Sequence, residues 1–284
     1  MMSAPSRHFW PRTTRMITKF TDEWNRAGIQ AAFYARSLAL IPNALVRYKV
    51  ETLRVIAQTS LGVGTLAAIG GTVVIVTFLL MSLGALNGLE AHRSLSHVGA
   101  DAVGGFFSAY VTTRVSAPLI TNIALAATIG AGATAQLGAM RINEEVDALE
   151  VMSINSMAYL VSTRVMAGVI VTVPLFCLSA EAAYLTTRVV YIHAFGQSAG
   201  VYDHYFSTYL RPLDLIWALT QAVGTALVVM LLHTYYGFTA KGGPAGVGEA
   251  VGRAVRASLI VSVATTLMIG MAVYGKTGDF NLAG

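Results

Sequence analysis

Charged residues and cysteines are scarce in this sequence. Charged side chains make up 12% of the chain against 55% hydrophobic residues, and the mean hydropathy is +0.62. This composition is too apolar for an ordinary soluble domain and is typical of a multi-pass membrane protein. Since Cys177 is the one cysteine, no disulfide can form within the chain, and we interpret this residue as part of an apolar packing surface.

Motifs for catalysis and for metal binding are also missing. No G-x-x-x-x-G-K-[ST] motif is present, and the glycine-rich stretch Lys241–Gly248 has its lysine before the glycines and no hydroxyl residue for magnesium. We therefore predict a non-catalytic chain that binds no cofactor or metal, with ATP and Mg²⁺ used by a separate partner. His92 and His97 match no standard metal-site spacing, which favours a solvated polar loop over a metal site.

The positive charge is concentrated near the N-terminus. The formal net charge is +5, and nine of the 19 Lys and Arg residues precede residue 60. No nucleic-acid-binding motif accompanies them, so we do not expect a nucleic-acid partner. A basic cluster beside apolar runs is instead typical of a membrane-surface and topology signal.

Apolar runs of membrane-spanning length divide the rest of the chain. They predict an all-α polytopic membrane protein with five transmembrane helices, at about residues 61–86, 115–140, 165–188, 215–240 and 257–275. Residues 101–113 are apolar but too short to span alone. This segment either forms a re-entrant piece or extends the second span, with Pro118 as a kink.

The N-terminal region is organised differently. Residues 1–30 form a basic arm, and residues 31–59 mix aliphatic and charged side chains. This mixture favours an amphipathic helix lying in the membrane interface, bent at Pro42, over a soluble helix. The membrane domain then covers residues 60–276, and residues 277–284 form a tail.

The basic residues predict the orientation. With a cytoplasmic N-terminus, 14 Lys and Arg residues lie on the inner side and five on the outer side. The positive-inside rule therefore favours a cytoplasmic N-terminus and an external C-terminus in the inner membrane. In this orientation, residues 142–153 and the loop Lys241, Gly242 and Gly243 both face the cytoplasm.

An acidic segment between the second and third spans is the strongest functional signal. Four of the 14 acidic residues fall within seven positions: Glu144, Glu145, Asp147 and Glu150. A neighbouring apolar stripe is formed by Val146, Leu149 and Met152. Charged residues with apolar anchors are typical of a partner surface, so we predict a helix that docks a motor protein at the membrane face. The alternative is a solvated loop.

Two features of the spans have open interpretations. Gly130, Thr134 and Gly138 recur every four residues, which predicts close helix packing, either within one bundle or at a dimer interface. Glu181 lies within the third span and shares a helix face with Arg188. One interpretation is that Glu181, together with Arg114 at the start of the second span, contributes to a substrate path near the outer side. The other is that Glu181 forms a buried hydrogen bond or lies near enough to the interface to be hydrated.

Two motifs resemble the MlaE/YrbE permease family. The residues LGAMRINEEVDALEVM at Leu137–Met152 resemble the family pattern LGTMR-x-x-E-Q-x-D-A-L-E-x-M. A second pattern, Y-Y-G…G-G…G-V-G-x-A…R-A-V, matches residues between Tyr235 and Val255. The resemblance extends from about Leu61 to Tyr274 and is greatest to YrbE permeases of Mce (mammalian cell entry) lipid-import systems.

The resemblance implies a function and a set of partners. It implies a permease dimer above two ABC ATPases, an acidic segment that acts as the coupling helix, and MCE-domain lipid-transfer proteins on the outer side. The cargo would be lipid, moved inward. A motor-independent carrier or channel, or an intramembrane lipid-modifying enzyme, remains as the alternative.

In the second span, the chain departs from the family pattern at three places. Val115 replaces a common Glu, Ala127-Thr128 replaces a Gly-Arg pair, and Gln136 replaces a Glu. A basic and an acidic residue have thus become neutral in one span, which avoids an unpaired charge in lipid. We therefore expect a heterodimer with a related permease that keeps some of these charges.

Overall fold

The fold is helical throughout the described part of the chain. The computed structural model describes residues 11–61, 71–97, 99–100 and 103–274, and these residues contain no β-strand. The predicted all-α class is confirmed. The predicted C-terminal tail, residues 277–284, lies outside the described residues.

Three helices precede the membrane domain. They are α1 (Pro11–Ala39), α2 (Ile41–Arg47) and α3 (Lys49–Leu61). The break between α1 and α2 falls directly before Pro42, as predicted, because proline is well tolerated only in the first turn of a helix. Helix α1 continues through residue 30, so the predicted boundary of the basic arm is not a helix end.

Within the residues that the structure describes, five further helices have the length and composition to cross a membrane, which agrees with the predicted number. They are α4 (Gly71–Ser96), α5 (Gly104–Ile142), α7 (Met157–Ala194), α9 (Pro212–Phe238) and α10 (Gly243–Ile269, continued by a π-helical segment, Gly270–Tyr274). Two short helices lie between them: α6 (Glu145–Val151) and α8 (Ala199–Tyr209).

The helices extend beyond the predicted spans because apolar runs mark only the lipid-embedded part of a helix. Helix α4 continues past residue 86 to Ser96, so His92 is helical rather than part of a loop. It begins at Gly71, and residues 62–70 of the predicted span lie outside the described residues. Helix α10 begins at Gly243 rather than near residue 257, so most of the glycine-rich stretch is helical.

The apolar segment before the second span is part of helix α5. The segment extends the span and is not re-entrant, since the chain stays helical from Gly104 to Ile142. Two π-helical segments, Ser108–Ser116 and Ala126–Gly130, interrupt its α-helical geometry. Pro118 is the second residue after the first of them, close to where the hydrogen-bond pattern is already altered.

Small residues allow the spans to approach closely. A Cβ atom at Gly84 of α4 would lie 2.4 Å from the carbonyl oxygen of Ala183 in α7. In α5, Gly130 lies against the ring of His233, and Gly138 lies against Val247. Gly130 and Gly138, two residues of the predicted small-residue stripe, therefore pack helices of one chain together.

The bundle has two distinct ends. At one end, which we call the acidic end, α5 connects through α6 to α7, and α9 connects to α10. At the opposite end, which we call the aromatic end, α8 packs beside the first turns of α5. There, a Cβ atom at Gly105 would lie 2.2 Å from the carbonyl oxygen of Tyr202.

Candidate functional site

Helix α6 at the acidic end carries the predicted docking residues. Its N-terminal cap, Glu144, adopts a left-handed conformation with φ 61°, and Ser153 after its C-terminus has φ 60°. The chain turns at these two left-handed residues, so α6 is separated from both neighbouring helices. Left-handed backbone is unusual for residues other than glycine and is retained where the surroundings hold it in place.

The inner face of α6 anchors it to the bundle. Val146 is fully buried and packs with Leu137 of α5 and Leu160 of α7. Leu149 and Phe238 pack against the same cluster. Movement of α6 would therefore disturb packing among three membrane-spanning helices, because interiors of this density transmit small displacements.

The outer face of α6 differs from the sequence prediction. Leu149 was expected to project outward with Met152, but Leu149 is only partly exposed and faces the bundle. Met152 is 61% exposed, and its neighbour Val151, which the sequence analysis did not select, is 87% exposed. The three-residue spacing correctly placed Val146 and Leu149 on one face of the helix. That face packs against the bundle and does not point outward.

The four acidic side chains of this segment have two different environments. Asp147 accepts a hydrogen bond from Arg141 at 2.7 Å, and Glu150 accepts one from Ser156 at 2.7 Å. These two carboxylates fix α6 to the ends of α5 and α7. The side chains of Glu144 and Glu145, at the start of α6, are exposed on the surface.

The second predicted loop lies at the same end of the bundle. Lys241 and Gly242 are exposed, and Gly242 and Gly243 have φ angles of 90° and 71°, which only glycine adopts easily. The turn is tight, since a Cβ atom at Gly246 would lie 1.8 Å from the carbonyl oxygen of Lys241. The link between α9 and α10 is thus short and exposes one cation, Lys241, at the acidic end.

An open cavity of about 640 Å³ separates α1 from the link between α6 and α7. Phe33 and Arg36 line it from α1, and Glu150 and Asn155 line it from the α6–α7 region. Beside it, the ring of Phe33 lies 5.3 Å from that of Tyr235. Burial raises the pKa of the neighbouring Tyr34 hydroxyl to about 12, so this hydroxyl stays protonated.

The two predicted substrate-path residues, Arg114 and Glu181, have different surroundings in the structure. Arg114 donates a hydrogen bond to Asp214 of α9 at 2.7 Å, with both side chains largely buried, and its guanidinium lies 3.9 Å from the Tyr110 ring centre. Glu181 lies on the exposed surface of α7, so the predicted buried hydrogen bond is wrong. Sequence analysis missed Asp214, although its isolated carboxylate at the start of an apolar run was a usable signal.

Arg188 does not pair with Glu181. It donates two hydrogen bonds of 2.7 Å to Asp203 of α8, a helix that the sequence analysis did not predict. These bonds hold the pKa of Asp203 below its ordinary value. Burial raises the pKa of the adjacent Tyr202 to about 12, so its hydroxyl stays protonated within the aromatic end.

Of the two histidines considered for a metal site, His92 has aromatic neighbours and His97 is exposed. The ring of His92 stacks on Phe195 with centroids 3.7 Å apart. In the part of the chain that the structure describes, no group of three or more His, Cys, Asp or Glu residues could hold a metal ion.

Comparison with known proteins agrees with this architecture. The family model described as Permease MlaE matches residues 63–272. A probable ABC transporter permease protein of Rickettsia bellii is 27% identical over 186 residues, which cover 66% of this chain and 72% of the relative. A probable ABC transporter permease protein of Synechocystis is 24% identical over 67% of this chain and 73% of its own length.

A plant protein is also similar. Protein TRIGALACTOSYLDIACYLGLYCEROL 1, chloroplastic, of Arabidopsis thaliana is 26% identical over 191 residues, which cover 66% of this chain and 53% of the relative. The five spans and the matched family model together define a multi-pass membrane permease. The chain belongs to the MlaE permease family.

Proposed function

We propose that this chain is the permease subunit of an ABC-type lipid transporter in the inner membrane. A pair of separate ATPase subunits binds at the acidic end, which faces the cytoplasm, and MCE-domain proteins act at the aromatic end, which faces outward. Lipid, as fatty acid, phospholipid or sterol, moves inward. The names of the relatives from Rickettsia bellii and Synechocystis support the ABC assignment, and the sequence resemblance supports the MCE partners, the cargo and the direction.

The observation that carries the proposal is the two-sided construction of α6. Its outer side offers Glu144, Glu145, Val151 and Met152 to a partner, whereas Val146 is fully buried on its inner side. A surface with exposed apolar anchors and surrounding charge is typical of a protein interface. Force applied to the outer side would pass through Val146 to α5 and α7, which share its packing cluster.

A second permease would bind along the open side of α5. Ala127 and Ala139 are exposed there, and Ala131 and Ala135 are partly exposed, so another helix backbone can approach closely. Gln136, where the family commonly has Glu, is exposed on the same helix. A related subunit that keeps the acidic residue would supply the charge that this chain lacks, which supports a heterodimer.

The docking of the ATPase is tested by co-purification with the double variant Glu145→Lys/Val151→Asp. These side chains are exposed, so we expect the variant to fold and the amount of bound ATPase to fall at least about tenfold, equivalent to about 1.4 kcal/mol. Glu249→Lys is the matched control, since Glu249 is an exposed carboxylate at the same end outside α6. Normal binding by the double variant would contradict the docking role.

The transport class is tested with reconstituted vesicles. We expect labelled lipid to move only when the permease, its partner permease, the ATPase, the MCE proteins and ATP are all present. Movement without ATP would indicate a carrier or channel. Chemical conversion of the labelled lipid by the permease alone would indicate an intramembrane enzyme.

A further inference from the structure

The open cavity at the acidic end lies at the boundary of the membrane. Met157, at the start of α7, and Phe238, at the end of α9, both line this cavity of about 640 Å³. Because both helices cross the membrane, their ends mark the layer where lipid head groups meet the hydrocarbon. Helix α1 forms the other wall, and its Ile29 is 57% exposed, as expected of a helix lying in this layer. The cavity is therefore within reach of lipid head groups.

Hydrogen bonds hold the two walls of the cavity in position. Ser162 of α7 donates a hydrogen bond of 2.8 Å to the carbonyl oxygen of Ser37, which fixes the end of α1 beside Arg36. On the opposite wall, the hydroxyl of Ser156 donates a hydrogen bond of 2.7 Å to Glu150. These contacts position both walls before a ligand binds, which lowers the conformational cost of binding.

Opposite charges line this cavity without pairing with each other. Arg36 lies on the α1 wall, and Glu150 lies on the wall formed by the α6–α7 region. Within the described residues, Arg36 forms no ion pair, and Glu150 binds the neutral hydroxyl of Ser156 but no cation. A ligand that carries a negative and a positive group could contact both charges at once.

We propose that this cavity binds the head group of a phospholipid from the surrounding membrane, with the phosphate against Arg36 and a primary ammonium group against Glu150. The guanidinium donates charge-assisted hydrogen bonds to the phosphate, and the ammonium group donates them to the carboxylate. The apolar side chains of Ile29, Phe33 and Met157 contact the glycerol and the first carbons of the acyl chains. The ligand class is thus phosphatidylethanolamine or a lipid with the same pattern of charges.

The bound lipid connects two helices of the permease. Arg36 belongs to α1, and Glu150 belongs to α6, the helix that we propose to dock the ATPase. The lipid therefore acts as a structural ligand at one membrane surface and is not the transported cargo. The inference needs only the position of the spans in the membrane, so it stands whether or not the ATPase binds α6.

A segment of the ATPase is a less suitable occupant of this cavity. Val151 and Met152, the exposed apolar residues that we assign to ATPase docking, do not line it. The apolar part of the lining is instead supplied by residues at the ends of membrane-crossing helices, where acyl chains begin.

Native mass spectrometry of the complete transporter complex tests the proposal. The complex is reconstituted with equal parts of phosphatidylethanolamine, phosphatidylcholine and phosphatidylglycerol, and the lipids that it retains in detergent are then counted. Phosphatidylcholine keeps the phosphate but has no N–H donor on its ammonium group, and phosphatidylglycerol has no cation. We expect the wild type to retain phosphatidylethanolamine about fivefold over either of the others.

Two substitutions separate the contributions of the two charges. Arg36→Gln removes the partner of the phosphate, so we expect retention of all three lipids to fall relative to the wild type. Glu150→Gln keeps an oxygen that can accept the bond from Ser156 but removes the negative charge, so the preference for phosphatidylethanolamine should be lost. Arg47→Gln and Glu249→Gln are the matched controls, since both residues are exposed and neither lines the cavity.

A phosphatidylethanolamine analogue with a photoreactive head group locates the bound lipid. We expect adducts on residues 29–36 or 153–157, and their loss in Arg36→Gln. Adducts confined to other residues, equal retention of the three lipids by the wild type, or a preference that persists in Glu150→Gln would each overturn the proposal. Benzoyl-phenylalanine placed at Ile29 tests the other occupant: a cross-link to the ATPase would show that protein rather than lipid fills the cavity.

Discussion

The acidic end and the aromatic end of the bundle differ in how many of their charged side chains are paired. At the aromatic end, Arg114 and Arg188 are tied to Asp214 and Asp203 by short hydrogen bonds that link separate helices. At the acidic end, Glu144 and Glu145 remain exposed while the apolar Val146 supplies the anchor. The ion pairs of the aromatic end connect helices of the bundle, whereas Glu144 and Glu145 at the acidic end are free to contact the partner that we propose.

The backbone shows the same contrast. At the aromatic end, Gly104 and Gly105 allow Tyr191 and the backbone of Tyr202 to come into direct contact with α5. At the acidic end, the left-handed residues Glu144 and Ser153 separate α6 from its neighbours. A close-packed end resists deformation, and a short helix between two sharp turns can move as a unit.

Breaking the Arg114–Asp214 pair should have the largest effect on stability. Arg114→Ala leaves a largely buried carboxylate without its partner, so we expect a loss of about 3–5 kcal/mol. The matched double variant Arg114→Leu/Asp214→Leu should recover much of this loss because no charge is stranded. Thermal unfolding in detergent measures both; equal stability of Arg114→Ala and the wild type would show that the pair does not hold the aromatic end together.

The contact between α4 and α7 should be the next most sensitive feature. Gly84→Ala places a methyl group 2.4 Å from a backbone oxygen, so the two helices must separate, at a cost of about 1–3 kcal/mol. Gly224→Ala in α9 is the control, since nothing lies within 4 Å of its Cβ position. A similar change in melting temperature for the two variants would contradict the close approach.

Val146→Ala should show whether the attachment of α6 to the bundle and the binding of the ATPase to α6 are separate functions. Removal of two buried methyl groups should cost about 2 kcal/mol and loosen α6 without changing its exposed face. We expect ATPase binding to be retained but ATP-driven lipid movement to fall. Loss of both in parallel would mean that the anchor contributes directly to docking rather than to force transmission.

The Arg188–Asp203 bond predicts a small pH dependence at the aromatic end. Because the folded-state pKa of Asp203 is lowered, its stabilising contribution is complete above the unfolded pKa of about 3.9 and is lost as the pH falls through the lower folded value. The melting temperature of the wild type should exceed that of Asp203→Asn at pH 7, and the difference should disappear in strong acid. A difference that persists there would exclude this bond as its source.

The number of spans and the position of the acidic helix could be predicted because they follow from local composition. The run of uncharged residues identifies lipid-embedded helix, and four acids within seven residues mark a segment that must leave the membrane. Helix ends were less predictable, because helices α4, α5 and α10 continue beyond the lipid with ordinary polar sequences.

Contacts between residues far apart in the chain were the main feature that could not be predicted from the sequence. Asp214 lies 100 residues from Arg114. Periodicity placed Glu181 and Arg188 on one helix face, but the residue that binds Arg188 is Asp203 of α8, a helix that the sequence did not predict. Leu149 packs against the bundle, and the left-handed turn at Glu144 before it could not be predicted because no glycine stands there.

The most direct test of the account is to determine from which side of the membrane α6 can be chemically labelled. In a Cys177→Ala background, Val151→Cys would be treated with a membrane-impermeant maleimide in intact cells and in inside-out vesicles. The account predicts labelling only in the vesicles, reduced when the ATPase is bound. Labelling of Val151→Cys in intact cells would place the acidic end outside and contradict the coupling role.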